Sequence, residues 1–279
     1  MFGRERIEYK SPDQVRAMRR AGLVVADIHA ALRAAVEPGM TTAQLDDVAA
    51  GVLRKAEAES NFLGYHGYPA HVCISVNEEI VHGIPGERVI ADGDLVSFDC
   101  GAVVDGWHGD AAFSVVVGTP DAASQALADV TAEAMWAAVA AVATGERLGV
   151  VGDAVETVVE SAAAEGRGEF SIVREYVGHG IGTAMHQPPD VVNYRTRDRG
   201  PRLRPGMCLA IEPMLAAGGP ENRVLEDDWT VVTVDGSRAA HVEHTVAVLE
   251  DGVWVLTAPD GGAGALAERG LTVASLAES

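Results

Sequence analysis

Four acidic residues of this chain sit inside runs of apolar, strand-forming residues. Asp99 follows Leu95-Val-Ser-Phe98, and Asp110 precedes Ala111-Ala-Phe113. Glu212 lies within Leu209-Ala-Ile-Glu-Pro-Met-Leu215, and Glu243 within Val242-Glu-His-Thr-Val-Ala-Val248. One such acid is ordinarily explained by a strand edge that faces water. Four of them ask for a common cause, because unpaired carboxylates flanked by Val96, Phe98, Ala111 and Phe113 suffer desolvation and mutual repulsion. A bound cation relieves both costs. His179, in Gly178-His-Gly-Ile-Gly182, offers an imidazole on a glycine-rich loop, although alone it reads as a structural or surface histidine.

Two of the acids can be placed relative to each other from the sequence. Asp105-Gly106 is a dipeptide favoured in two-residue hairpin turns. With that turn, Val104 faces Trp107, Asp99 lies opposite Ala112, and Asp110 becomes the diagonal neighbour of Asp99 on one face. Diagonal Cβ atoms are about 7 Å apart, near enough for both carboxylates to serve one metal cluster. Spacing along the chain does not bring Glu212, Glu243 or His179 to that pair.

The elements that must carry these residues follow from caps and periodicity. Ser11-Pro12-Asp13-Gln14 combines an N-cap, a proline at the first helical position and a capping-box glutamine, which predicts a helix that Pro38-Gly39 stops. Thr41 and Gln44 repeat the signal for a second helix to about Ser60. Strand-type segments follow at 72–76 and 95–117, the latter turning at Asp105-Gly106. Thr119-Pro120 is expected to cap a third, alanine-rich helix, and 150–165 a fourth. Further strand segments are expected at 207–215, 229–234 and 242–249. The order helix, helix, strands thus occurs twice, and Val36, Gly39 and Asp47 match Val142, Gly145 and Asp153 at constant spacing.

Composition narrows the class. The 279 residues are 48% hydrophobic but only 5% aromatic, which suits helices packed on sheets and argues against disorder. A formal net charge of -20 argues against DNA and anionic membranes as partners. The first residues include Arg4, Glu5, Arg6, Glu8 and Lys10, so no secretory signal core is read there, and the longest apolar helical stretch, 134–143, is short of the ~20 residues of a membrane span. A cytoplasmic location is expected. Cys73, Cys100 and Cys208 are widely separated and read as small buried residues rather than as a disulfide framework or a structural zinc site. Arg195, Arg197, Arg199, Arg202 and Arg204 form a local basic run, read first as a solvated loop.

These residues resemble the type I methionine aminopeptidases. The likeness runs from about Ser11 to Leu256 through eight ordered blocks: Leu63-Gly-Tyr-His-Gly-Tyr-Pro69, Val72-Cys-Ile-Ser-Val-Asn77, Val81-His-Gly-Ile-Pro85, Asp99, Gly106-Trp-His-Gly-Asp110, Gly178-His-Gly-Ile-Gly182, Ile211-Glu-Pro-Met214 and Val242-Glu-His-Thr245. The resemblance implies an α+β pita-bread fold, two pseudo-symmetric αβ halves around a curved antiparallel sheet. It implies a short extension over 1–11, a catalytic body over 12–257 and a tail over 258–279. It also implies metal ligands at Asp99, Asp110, His179, Glu212 and Glu243, with Asp110 and Glu243 bridging two divalent ions. Four carboxylates and one imidazole suit Co, Mn, Fe(II) or Zn, and two divalent ions balance four negative charges.

The activity so implied is hydrolysis of the bond after an initiator methionine followed by a small residue, by a water activated between two ions. Glu212 is expected to assist proton transfer, His186 to hydrogen-bond the carbonyl or tetrahedral oxygen, and His82 to contact the substrate from the other side. Tyr65, Tyr68, Cys73 and Trp229 are expected to wall the methionine pocket. Phe62 and Met185 depart from residues common in the family and change the shape of that pocket. Glu221, Glu226, Asp227 and Asp228 stand where some bacterial relatives carry lysines for ribosome docking, a role the basic run 195–204 is placed to take over. The implied partners are nascent polypeptide N-termini and the ribosome, with a monomer as the default state. Two other readings compete: an X-Pro dipeptidase or creatinase-type hydrolase, whose relatives carry an added N-terminal domain, and a non-catalytic pita-bread binding module, whose ligands are typically lost.

Overall fold

The computed structural model describes residues 6–275. The first helix, α1 (Pro12–Ala35), opens as its capping box requires. Ser11 Oγ accepts from the Gln14 N–H, and Gln14 Oε1 accepts from the Ser11 N–H at 2.8 Å. Thr41 and Gln44 repeat this arrangement for α2 (Thr42–Ala56). That helix stops earlier than expected, because Glu57 adopts a left-handed conformation (φ 53°) and turns the chain into a short strand, Glu59–Ser60, paired with Ala102 and Val103. The third helix, α3 (Ala122–Thr144), is capped by Asp121 rather than by Thr119-Pro120. Its carboxylate accepts from the Ala123 and Ser124 N–H groups, whereas the Thr119 N–H is already given to Asp92. The fourth, α4 (Val150–Ala164), packs against α3.

The apolar stretch of α3 is longer than the expected 134–143. Its 23 residues are long and apolar enough to cross a bilayer, but ten of them, including Leu127, Met135 and Val139, are buried. They pack on α4 and on strands of the second half, which accounts for their composition without a membrane.

Each helix pair covers a sheet. α1 and α2 bury Val25, Ile28, Leu45 and Leu53 against Val72–Val76 and the long hairpin Leu95–Val104 and Trp107–Val116. The hairpin register is the one expected: Val104 pairs with Trp107, and Asp99 with Ala112. α3 and α4 cover a five-stranded sheet in the order Gly252–Val255, His244–Leu249, Cys208–Ile211, Gly178–Gly180, Gln187–Val191. The stretch after 257 folds back through a short helix, Ala263–Ala267, that buries Leu266 in the same core.

Two glycines let α1 lie directly on the hairpin and on the second half at once. A Cβ on Gly22 would stand 2.2 Å from the Leu256 carbonyl oxygen, and one on Gly109 would stand 2.8 Å from the Gly22 nitrogen. Backbone lies at both contacts, so neither position has room for a side chain.

Two strand segments expected to be continuous are broken, and the breaks correspond. The stretch 207–215 splits into Cys208–Ile211 and Met214–Ala216, because Pro213 has no N–H to give a ladder. The stretch 242–249 begins its strand only at His244, after a separate strand Ala239–His241. Ile211 pairs with His244 and Met214 with His241, so 212–213 and 242–243 face each other at the point where both chains pass from one sheet to another.

Candidate metal centre and substrate pocket

Glu212 and Glu243 occupy that double break, and the hairpin face bearing Asp99 and Asp110 packs across it. Glu243 and Ala112 exchange both backbone hydrogen bonds (2.9 and 3.2 Å). Thr245 Oγ1 accepts from the Asp110 N–H at 3.1 Å and donates to the Asp110 carbonyl at 2.7 Å. The two halves are therefore stitched together at the acids themselves. His179 enters from an inner strand of the five-stranded sheet, paired with Ala210. Its flanking glycines are forced by close approach, since a Cβ on Gly178 or Gly180 would lie 2.3 Å from a carbonyl oxygen.

All five residues line one cavity of about 260 Å³. Asp110, His179 and Glu243 bring ligand atoms within 4.8 Å of one another, and so do Glu212, His241 and Glu243. Asp99 Oδ1, Asp110 Oδ1 and Glu243 Oε1 are fully buried without a hydrogen-bond partner. Burial is the first cause that lifts all four carboxyls above their ordinary range, Asp99 to about 7 and Glu212 to about 8. For Asp110 and Glu243 the neighbouring carboxylates add to it. Buried acceptors aimed at one another are costly unless a cation takes their lone pairs, so this donor set fits divalent metal.

The imidazole is prepared in the same sense. Burial, with the His186 charge, pushes His179 down to about 3, so it is neutral at physiological pH. Nδ1 donates to the Gly180 carbonyl at 3.0 Å, which leaves the Nε2 lone pair facing Glu212 Oε1 at 3.4 Å.

The rest of the cavity is largely apolar. Tyr65, Tyr68, Cys73 and Trp229 line it as expected, together with Phe62 and Met185. Tyr68 and Trp229 meet edge to face at 5.1 Å. Asp227 of the acidic loop acts locally. Its carboxylate accepts from the Trp229 and Thr230 N–H groups and the Thr230 hydroxyl, a turn that sets Trp229 on the wall. His186 stands at the exposed rim with Nδ1 2.8 Å from the Tyr65 hydroxyl. His82 faces the cavity from a left-handed backbone (φ 61°), a strained conformation for a residue other than glycine. Burial first, then the charges of His241 and His186, holds His82 near 4, a neutral ring.

Sequence reasoning did not single out Tyr176, Met214 and His66 on the wall, nor Asn193, Thr245 and His241 behind the acids. His241 lies two residues before Glu243 on a strand-forming stretch, a same-face spacing that was readable. Of the five arginines in 195–204, Arg195, Arg199 and Arg202 form ion pairs with Glu160, Asp153 and Glu146.

Residues 16–250 match the profile of metallopeptidase family M24. The chain belongs to this family. M24 membership accords with the metal-fitting donor set described above. A methionine aminopeptidase 1 of Mycobacterium tuberculosis is 50% identical over 91% of this chain and 96% of its own length. One from Bacillus subtilis is 45% identical over 89% and 98%. The crystal structure of a methionine aminopeptidase from Thermotoga maritima superposes with a TM-score of 0.86 at 41% identity, covering 90% of this chain and 99% of that one. A prolidase from Pyrococcus furiosus, at 19% identity and a TM-score of 0.70 over 65% of its length, shares the fold alone. The M24 chain described here has the pita-bread fold, as the resemblance implied.

Proposed function

We infer that this M24 hydrolase removes the N-terminal methionine of proteins. The observation that carries the reading is the junction of an apolar pocket, walled by Tyr65, Tyr68 and Trp229, with a cluster of buried carboxylate oxygens that have no partner. An unbranched thioether fits such a pocket, and the scissile carbonyl then falls beside the acids. The identity of the full-length relatives supports methionine over the dipeptides of the prolidases. The same reading extends to nascent chains in the cytoplasm whose second residue is small.

Asp99, Asp110, His179, Glu212 and Glu243 would hold two divalent ions, Co, Mn, Fe(II) or Zn. When bound, these supply Lewis acidity and a more acidic water. Glu212, on the cavity wall beside the other acids, is placed to hold or release the proton in transit. The rings of His186 and His82 reach the peptide from the cavity wall as hydrogen-bond donors, and the Tyr65 hydroxyl orients His186. The aromatic walls exclude water from the side-chain subsite.

Release of free methionine from Met-Ala-Ser is the direct test, using chelator-stripped protein with and without Mn, Co or Fe(II), beside Asp110→Ala. Metal-dependent release that the variant abolishes is expected. Cleavage of X-Pro dipeptides instead would give the prolidase reading, and folded protein that releases nothing with any metal would give the binding-module reading.

A further inference from the structure

Among the described residues, His241 carries the only fully buried imidazole nitrogen without a hydrogen-bond partner. The residue is 2% exposed. Its backbone is fixed on two sides: the N–H donates to the Ser114 hydroxyl at 3.0 Å, and that hydroxyl donates to the His241 carbonyl at 2.9 Å. Pairing with Met214 sets the ring beside the Glu212-Pro213 break. Nε2 then lies 3.5 Å from Glu212 Oε2, while Glu212 Oε1 lies 3.4 Å from His179 Nε2. The two oxygens of one carboxylate are thus divided between two imidazoles. His179 and Glu212 line the cavity and His241 does not, so an ion entering from the cavity meets Glu212 before it meets His241.

We propose that His241 is a positioning residue of the metal centre: its Nε2–H donates to Glu212 Oε2 and so commits Oε1, with His179 Nε2, to the ion they share. The backbone of the residue is held separately, with Asn193 Nδ2 donating to the Glu212 carbonyl at 3.1 Å. A Glu side chain has three rotatable bonds, and at the double break it lacks the ladder that steadies a strand residue. A donor behind one oxygen removes that freedom, in the manner by which outer partners orient metal ligands elsewhere. This inference rests on the metal-centre reading of the five ligands.

The test is Co(II) titration of the metal-stripped full chain, followed by calorimetry and by the visible absorption of the bound ion, for the wild type, His241→Gln and His241→Leu. Glutamine retains an N–H donor, and leucine fills similar space without one. His241→Leu is expected to weaken one of the two Co(II) sites by about 10- to 100-fold and to change its spectrum, and His241→Gln to stay near the wild type. Unchanged binding and spectrum in both variants overturn the proposal. Equal loss in both also overturns it, since the imidazole then acts as a direct ligand or a packing element. Should the leucine variant not fold by circular dichroism, long-range proton–nitrogen correlations of the Zn(II)-loaded wild type decide: protonation of His241 at Nε2 is required, and protonation at Nδ1 alone is contrary. A wild type that binds no Co(II) rejects the metal-centre reading and this inference together, which separates that failure from a failure at His241 alone.

Discussion

The two halves contribute to the site in different ways. The first gives Asp99 and Asp110 from one hairpin, held in register by ten consecutive residue pairs from Leu95–Val116 to Val104–Trp107. The second gives His179, Glu212 and Glu243 from three separate places: an inner strand of a sheet and two facing breaks. The hairpin pair is positioned by local geometry, and the other three by long-range packing around α3 and α4. The contrast teaches that a metal centre can be half prefabricated. Local strain and loss of packing should therefore damage the two sets of ligands unequally.

The largest effect should come from the ligands themselves. Asp99→Asn and Glu212→Gln, one from each half, should each lower kcat/KM for Met-Ala-Ser by about 10³-fold or more, because metal-assisted hydrolysis draws several kcal/mol from the centre. A variant of either that keeps near-wild-type turnover breaks the assignment for its half.

Next comes the seam. Thr245→Val removes the hydroxyl that satisfies both the N–H and the carbonyl of Asp110. Leaving buried backbone groups unpaired costs about 1 to 3 kcal/mol each, so the melting temperature should fall by several degrees, at about 2 to 4 °C per kcal/mol. Metal affinity should fall with it. A loss of stability without a loss of metal affinity would show that the hairpin ligands do not depend on the second half.

A smaller effect is expected from pH in the metal-stripped protein. Asp99 and Glu212, one in each half, have folded-state pKa values raised to about 7 and about 8. These two groups therefore bind more protons in the native state than in the unfolded chain up to about pH 8, and the stability they contribute falls as pH rises. The buried His179 and His82, held near 3 and near 4, act in the opposite direction below about pH 6.5, so the carboxyls set the slope between pH 7 and pH 8. The melting temperature of stripped protein should be about 3 °C higher at pH 7 than at pH 8. Saturating divalent metal at pH 8 should restore the difference by binding the native state. A flat profile would mean that the carboxylates are hydrated rather than desolvated.

The smallest effect concerns the surface. Among the described residues, Arg197 and Arg204 are the members of the basic run outside ion pairs. Neutralising these two should reduce co-sedimentation with ribosomes at low salt if this run is the docking element, with little change in tripeptide hydrolysis. Unchanged co-sedimentation removes the run as a docking surface.

The sequence by itself determined the caps of α1 and α2, the hairpin turn at Asp105-Gly106 and hence the shared face of Asp99 and Asp110. Each depends on residues within a few positions of one another, where side-chain hydrogen bonds and a two-residue turn leave little choice. It also marked Glu212, Glu243 and His179 as residues out of keeping with their surroundings, and the motif blocks grouped them. What it did not show was where continuous apolar runs would break. The run 242–249 looks like an ordinary strand, Pro213 marks a weak point in 207–215, and only their mutual pairing reveals that both change sheets at the acids. Likewise the two-residue spacing of His241 from Glu243 suggests a shared face but no contact, and His241 becomes a neighbour of Glu212 only through the pairing of Ala239–His241 with Met214–Ala216. Tertiary structure decided these points for a physical reason: a break in a ladder is tolerated only where another segment or a ligand satisfies what it exposes, and that partner lies far away in sequence.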